Sequence, residues 1–280
     1  MHIDHQKSGY DKVLSGMAQA IHALRLLCFD WIGKSTRPYW QLARRELNNL
    51  AFRAHASIPP ISLINLVSRL TVEPHPEVML PSIINIPGSD DPNYYYSLAV
   101  LSKILNPKQV IEFGTFLGVG TLAIALNTAP DCCVWTIDLP AVVDTDAVSS
   151  LDSSDRALVD RSRYKVGEAF FGHSVANRVI QIRENSLAIN LRSHILGSVD
   201  MVFIDGGHSF EIVERDSENA LSALSSTGVI VWDDYWWFYP DVVKYLDLLS
   251  NKLCLFRIEG TNLVIYAQGR GFDRTLQSNS

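Results

Sequence analysis

Positive charge is in short supply in this 280-residue chain: 24 lysines and arginines stand against 30 acids, a formal net charge of -6. No basic stripe is left over to neutralise phosphates, so no nucleic-acid partner is expected. Cysteine is scarcer still. The four present (Cys28, Cys132, Cys133, Cys254) have no metal-ligand spacing, and Cys132 and Cys133 are neighbours that do not bridge each other. A disulfide framework is therefore not expected, and a reduced, cytoplasmic setting fits. Long apolar runs are missing as well. The most apolar stretch near the start, MAQAIHALRLLCFDWIG, is interrupted by His22, Arg25 and Asp30, and no signal-peptide pattern precedes it. Neither a membrane span nor a leader is expected.

What remains is an ordinary globular composition, 47% hydrophobic and 19% charged, enough for one sizeable core with an appendage. Residues 1 to about 72 show helical spacing. Leu14, Met17, Ile21, Leu24, Cys28 and Trp31 form one seam; Trp40, Ala43, Leu47, Leu50 and Ala54 form a second, which Pro59 and Pro60 end before a third helix in ISLINLVSRL. A joint rich in Pro, Asp and Ser follows. The expected organisation is an N-terminal helical region over 1–91, serving as a homo-oligomer contact or a lid, a catalytic domain over 92–270, and a polar tail over 271–280.

From residue 92 helical patterns alternate with seven apolar strands: QVIEF, CVWTIDL, RVIQIR, VDMVFID, GVIVWD, LCLFRIE and NLVIYAQ. Strands apolar throughout and separated by helices imply an α/β, doubly wound, Rossmann-like sheet covered on both faces. Only GTN separates the last two strands, so the last should run antiparallel.

In VIEFGTFLGVGTLAIAL, Gly114 follows a strand directly and Gly118 and Gly120 open a helix; Asp138 ends the next strand. Glycines there let backbone N–H groups approach a ligand, and a strand-end acid can accept both ribose hydroxyls. The loop lacks the Lys-Ser/Thr of a phosphate-binding P-loop. Gly118-Val-Gly120-Thr-Leu-Ala123 does fit a dinucleotide fingerprint, although it lies several residues beyond its strand, so an NAD-dependent oxidoreductase stays as an alternative.

The spacing Glu112-x-Gly114-x-x-x-Gly118-x-Gly120 resembles the first motif of class I S-adenosylmethionine-dependent methyltransferases. That resemblance implies a sheet order 3-2-1-4-5-7-6 with an antiparallel last strand. It implies a cofactor-binding set of Glu112, Gly114, Thr115, Gly118, Gly120, Thr121, Asp138, Asn185, Ser186 and Asp205. Relatives often carry Asp where this chain has Asn185, whose amide can still hydrogen-bond and which serves equally well as a turn residue.

Two apolar runs end on acids: VFIDGGHSF at Asp205, three residues before His208, and GVIVWDDY at Asp233 and Asp234. Strand tips about 4.8 Å apart can bring these carboxylates together, and an all-oxygen set suits a hard cation such as Mg²⁺. The plain alternatives are a helix cap at Asp205, a surface His208 and a solvated strand exit at Asp233 and Asp234. The pattern is similar to metal-dependent O-methyltransferases acting on macrolide sugars, which implies Asp205, Asp233 and Asp234 as Mg²⁺ ligands and His208 as catalytic base. The expected acceptor is a hydroxyl of a small molecule, such as a sugar or glycosylated natural product. In YWWFYP, Tyr235 and Trp236 are expected to wall the pocket. Asp216 and Glu218 are expected on the wet face of their helix. A non-catalytic protein that keeps the fold is a further alternative.

Overall fold

The computed structural model describes residues 47–71, 76–82, 92–140, 155–156 and 165–270. In chain order these form α1 (47–55), β1 (Pro60–Ile61), α2 (Leu63–Leu70), α3 (Pro92–Leu105), β2 (Gln109–Phe113), α4 (Val119–Leu126), β3 (Cys133–Asp138) and β4 (Val179–Arg183). They continue with α5 (Leu191–His194), β5 (Val199–Ile204), α6 (Phe210–Ala223), β6 (Leu224–Trp232), α7 (Pro240–Ser250), β7 (Phe256–Ile258) and β8 (Val264–Ala267).

The chain divides into units of residues 1–56 and 57–280. Only α1 of the first is described. There Phe52 is buried, whereas Leu47, Leu50 and Ala54 of the expected seam are exposed. The seam from Leu14 to Trp31, Trp40 and Ala43, most of the joint, most of the segment from 145 to 164 and the tail from 271 lie outside the described residues.

In the second unit, the Pro59-Pro60 pair leads into extended chain, not helix. Pro60 and Ile61 pair parallel with β7, and the Ser62 hydroxyl accepts the Asn65 N–H at 3.3 Å to start α2. The sheet thus gains an eighth, two-residue strand beyond the seven expected. Its order is β1-β7-β8-β6-β5-β2-β3-β4. All neighbours are parallel except β8, which runs antiparallel to both β6 and β7. Leaving out β1, this is the order 3-2-1-4-5-7-6.

Burial explains why the central strands read as unbroken apolar runs. Val110, Ile111, Val202, Phe203, Ile230 and Val231 are all fully buried, each side chain contributing about 1.5–3 kcal/mol of transfer free energy. Helix α3 packs on α4, and α6 packs on α7, β5 and β6. The chain winds outward from β2 through β3 to β4, then returns to lay β5 on the other side of β2. The carboxyl ends of β2 and β5 therefore flank a topological switch point, the crevice where open α/β sheets bind ligands.

Candidate active site

The glycine loop begins at that crevice. Gly114 has φ +92°, and a Cβ on it would lie 1.9 Å from the Asp205 carbonyl oxygen. Only glycine lets the ends of β2 and β5 come this close. Beneath the loop, Glu112 is buried, and its Oε2 accepts the hydroxyls of Thr121 and Thr136, the latter at 2.6 Å. Thr136 also shares a hydrogen bond of 2.7 Å with Thr115. Burial pushes the Glu112 carboxyl up to about 8 despite those donors. A Cβ on Gly120 would meet Glu112 Oε1 at 2.7 Å, so this glycine makes room for the acid. The side chains of Glu112, Thr115 and Thr121 are buried and are joined, through Thr136, in one hydrogen-bonded chain beneath the loop.

On the loop's other side the backbone N–H groups of Gly167 and Ala169 donate to the carbonyls of Phe116 and Leu117, both at 2.9 Å. Asp138 ends β3 as expected. Its Oδ2 accepts the Phe116 N–H and its Oδ1 the Leu139 N–H, both at 2.7 Å; burial raises its pKa against these bonds. Asn185 spends its side-chain oxygen on the Leu187 N–H at 3.0 Å, the turn-forming alternative. The carbonyl of Ser186 accepts from Asn219 at 3.4 Å.

Asp216 is not on a wet face. It is 1% exposed, on the buried side of α6 with Ile212, Val213 and Ala220, and burial pushes its carboxyl up to about 7, with a Ser186 hydrogen bond and the Arg215 charge pulling the other way. The spacings 212, 213, 216 and 220 share one helix face, which decides the matter. Glu218 is solvated, as expected.

The three strand-end acids converge. One carboxyl oxygen each of Asp205, Asp233 and Asp234 lies within 4.8 Å of the others. The Asp205 N–H continues the ladder to the Phe113 carbonyl and the Asp233 N–H that to Ile204, which aligns the two tips. Simple alternation would send Asp233 and Asp234 to opposite faces. Asp234 instead adopts φ +61°, a left-handed conformation costing about 1–3 kcal/mol in a non-glycine residue, and this turns its carboxylate back toward Asp233. Burial and the Asp234 charge push Asp205 up to about 7. Burial, then the charges of Asp234 and Asp205, raise Asp233 well above the carboxylate range. Such crowding needs protons or a cation. Two oxygens on one Mg²⁺ lie up to about 4.2 Å apart, so a small inward turn of these side chains suffices, and the hard, all-oxygen donor set fits the ion.

His208 closes the group. It is 9% exposed, and its Nε2 lies 2.7 Å from Asp234 Oδ2. Its Nδ1 pairs with Asp155 Oδ1, and its backbone N–H donates to Asp155 Oδ2 at 2.9 Å. Tyr239 stacks on the imidazole with centroids 3.8 Å apart and planes at 10°. Burial alone would lower the His208 pKa, but the Asp234 charge and the bonds to Asp155 and Asp234 raise it well above the usual value. Tyr94, half-buried at the start of α3, donates to Asp205 Oδ2 at 2.7 Å. A small cleft beside the trio is lined by Gly206, Gly207, His208, Asp233, Val213 and Val242.

Tyr235 does not wall this cleft. It is 1% exposed, and its hydroxyl donates to Asp247 Oδ1 at 2.6 Å, so it anchors the strand exit to α7. Trp236 is half-buried among Trp237, Phe238 and Tyr239.

Residues 111–235, which hold the glycine loop, Asp138, His208 and the acid trio, match a family model described as a methyltransferase domain. That stretch is similar to a methyltransferase domain. No curated protein matches the chain. Solved structures similar to it include the O-methyltransferase TomG of Streptomyces achromogenes in complex with S-adenosylmethionine. It has 16% identity and a TM-score of 0.46, covering 80% of this chain and 99% of that one. A methyltransferase of Podospora anserina bound to S-adenosylhomocysteine has 14% identity and a TM-score of 0.47, covering 85% and 96%. An O-methyltransferase of Bacillus cereus has 15% identity and a TM-score of 0.44, covering 80% and 97%.

Four residues at or near the site escaped sequence reasoning: Tyr94, Asp155, Asp216 and Tyr239. Helical spacing marked Asp216. The aromatic run held Tyr239 without saying which ring meets the histidine. Nothing in the sequence around Tyr94 or Asp155 signals a partner 111 or 53 residues away.

Proposed function

We propose that the protein transfers the methyl group of S-adenosylmethionine to a hydroxyl oxygen of a small molecule, with Asp205, Asp233 and Asp234 holding Mg²⁺ and His208 acting as base. One observation carries the reading: three carboxyl oxygens gather within 4.8 Å at the switch-point crevice, one hydrogen bond from a buried histidine. Bound there, Mg²⁺ would lower the pKa of a coordinated hydroxyl. The work of this chain's residues is distinct. The loop from Gly114 to Gly120 would seat the amino-acid part of the donor and Asp138 its ribose. With the Asp234 charge that raises the His208 pKa drawn to a cation, Nε2 of the neutral ring takes the hydroxyl proton; the oxygen then attacks the sulfonium methyl, the C–S bond breaks as the C–O bond forms, and S-adenosylhomocysteine leaves. Holding the reactants in line supplies much of the acceleration, because the donor is already electrophilic.

A sugar or glycosylated natural product is the acceptor we favour, on the strength of the aromatic run at residues 236–239, whose Tyr239 reaches the site by stacking on His208. The division at residues 91 and 270, self-association through the N-terminal helices and a cytoplasmic setting belong to the same proposal. Among the described residues no helix is long and apolar enough to cross a membrane.

Titration calorimetry with S-adenosylmethionine, S-adenosylhomocysteine and NAD, followed by methyl-transfer assays on sugar and phenol acceptors with and without chelator, tests the reading. S-adenosylmethionine should bind, and chelator should abolish transfer until Mg²⁺ is restored. Binding of NAD alone would overturn the donor assignment, and transfer indifferent to chelator would remove the metal.

A further inference from the structure

The His208 ring is held on three sides. Asp155, 4% exposed and 53 residues earlier, grips it at two points, receiving the backbone N–H through Oδ2 at 2.9 Å and pairing with Nδ1 through Oδ1. Tyr239 lies flat on the ring at 3.8 Å. The third restraint is Asp234 at Nε2. Beside it, Gly207 leaves room for Ile212: a Cβ there would lie 2.7 Å from Ile212 Cδ1.

We propose that Asp155 is a positioning residue that keeps the proton of the neutral imidazole on Nδ1, so that Nε2 presents its lone pair to the acid trio. This rests on the reading of His208 as base. A carboxylate accepts hydrogen bonds and cannot donate them. Asp155 stands at Nδ1 and Asp234 at Nε2. A proton fixed on Nε2 would leave the ring nothing to take up on the side that faces the acceptor. Asp155, 4% exposed at the side chain and bonded also to the His208 backbone, holds the ring with Nδ1 toward itself, which places the proton of the neutral ring there. When a substrate hydroxyl gives its proton to Nε2, Asp155 also faces the resulting imidazolium, so charge created in the step is met at once. Asp155 itself touches no reacting atom, and its effect passes wholly through His208.

The test uses the full-length protein with ¹⁵N-labelled histidine. In the wild type, proton NMR should show a strongly downfield, ¹⁵N-coupled ring resonance from the Nδ1–H···Asp155 bond, absent from His208→Gln and retained in Asp234→Asn. Asp155→Asn, nearly isosteric and checked for folding by circular dichroism, should lose that resonance. Its kcat should fall by about 10²–10⁴, as when a triad-like carboxylate is replaced and the wrong tautomer results, while the donor KM stays within about threefold. Asp155→Glu should recover part of kcat. A resonance that persists in Asp155→Asn, or a kcat that stays at the wild-type level, would overturn the proposal. Absence of methyl transfer from the wild type overturns the reading of His208 as base, and the resonance then still decides whether Asp155 holds the ring.

Discussion

Nε2 of His208 and Oδ2 of Asp234 are 2.7 Å apart, so the ring touches an acid that also belongs to the trio. On the proposed reading the base and the cation site share one carboxylate and are coupled, and substitutions at each should separate proton transfer from ion binding. His208→Gln keeps a polar side chain and removes the base. Turnover should fall by about 10²–10⁴, with donor affinity from calorimetry unchanged within about threefold. Undiminished turnover would take His208 out of the mechanism.

Asp233→Asn removes one charge from the trio while keeping its shape. Because even residues that only support metal ligands cost about 10–100-fold in affinity, the Mg²⁺ concentration for half-maximal activity should rise by at least about tenfold. S-adenosylhomocysteine affinity should barely move. An unchanged Mg²⁺ response would count against the ion site.

Gly114→Ala and Gly172→Ala form a matched pair. Both glycines have positive φ, but a Cβ at 114 would sit 1.9 Å from backbone, while at 172 nothing lies within 4 Å. Gly172→Ala should cost about 1 kcal/mol through backbone strain alone. Gly114→Ala should cost well over 3 kcal/mol, or prevent folding, as read by urea denaturation. Similar losses at the two sites would contradict the packed junction of β2 and β5.

Stability should carry the signature of Glu112. Its folded-state value of about 8 lies above its ordinary 4.5, so the folded state holds the proton more tightly than the unfolded chain. Its contribution is fully present below about pH 4.5 and is lost as pH rises through about 8. Glu112→Gln keeps an oxygen for Thr121 and Thr136 and has nothing to ionise. The variant should therefore gain on the wild type between these limits, by on the order of 4 kcal/mol at pH 8. A difference that does not vary with pH would mean that Glu112 folds ionised.

Tyr235→Phe removes the bond to Asp247. A loss of about 1 kcal/mol in urea denaturation is expected, with kcat and KM unaltered. A kcat that drops without loss of stability would return Tyr235 to the pocket.

Much of this was written in one dimension. Strands β2, β5, β7 and β8 and the end of β6 are largely buried on both sides, so their apolar runs could be read directly, and GTN announced the one antiparallel strand. The same holds for the loop at Gly114 and for Asp138, Asp205, His208, Asp233 and Asp234, because each stands where an apolar run stops. The short β1 was not legible, since two residues carry no period and Pro60 and Ile61 become a strand only by pairing with β7. Tyr235 looked like a pocket residue because an aromatic ring suits a core and a binding wall equally well.

The order of apolar runs and the acids at their ends determined the class of fold and where its crevice opens, because burial and backbone pairing are repeated, local demands that leave a pattern in composition. Which groups meet in that crevice was decided only in three dimensions. Asp155 reaches His208 across 53 residues, Tyr94 reaches Asp205 across 111, and Asp234 turns inward through a left-handed backbone. A hydrogen bond is directional and is made once, so no periodicity in the chain records it.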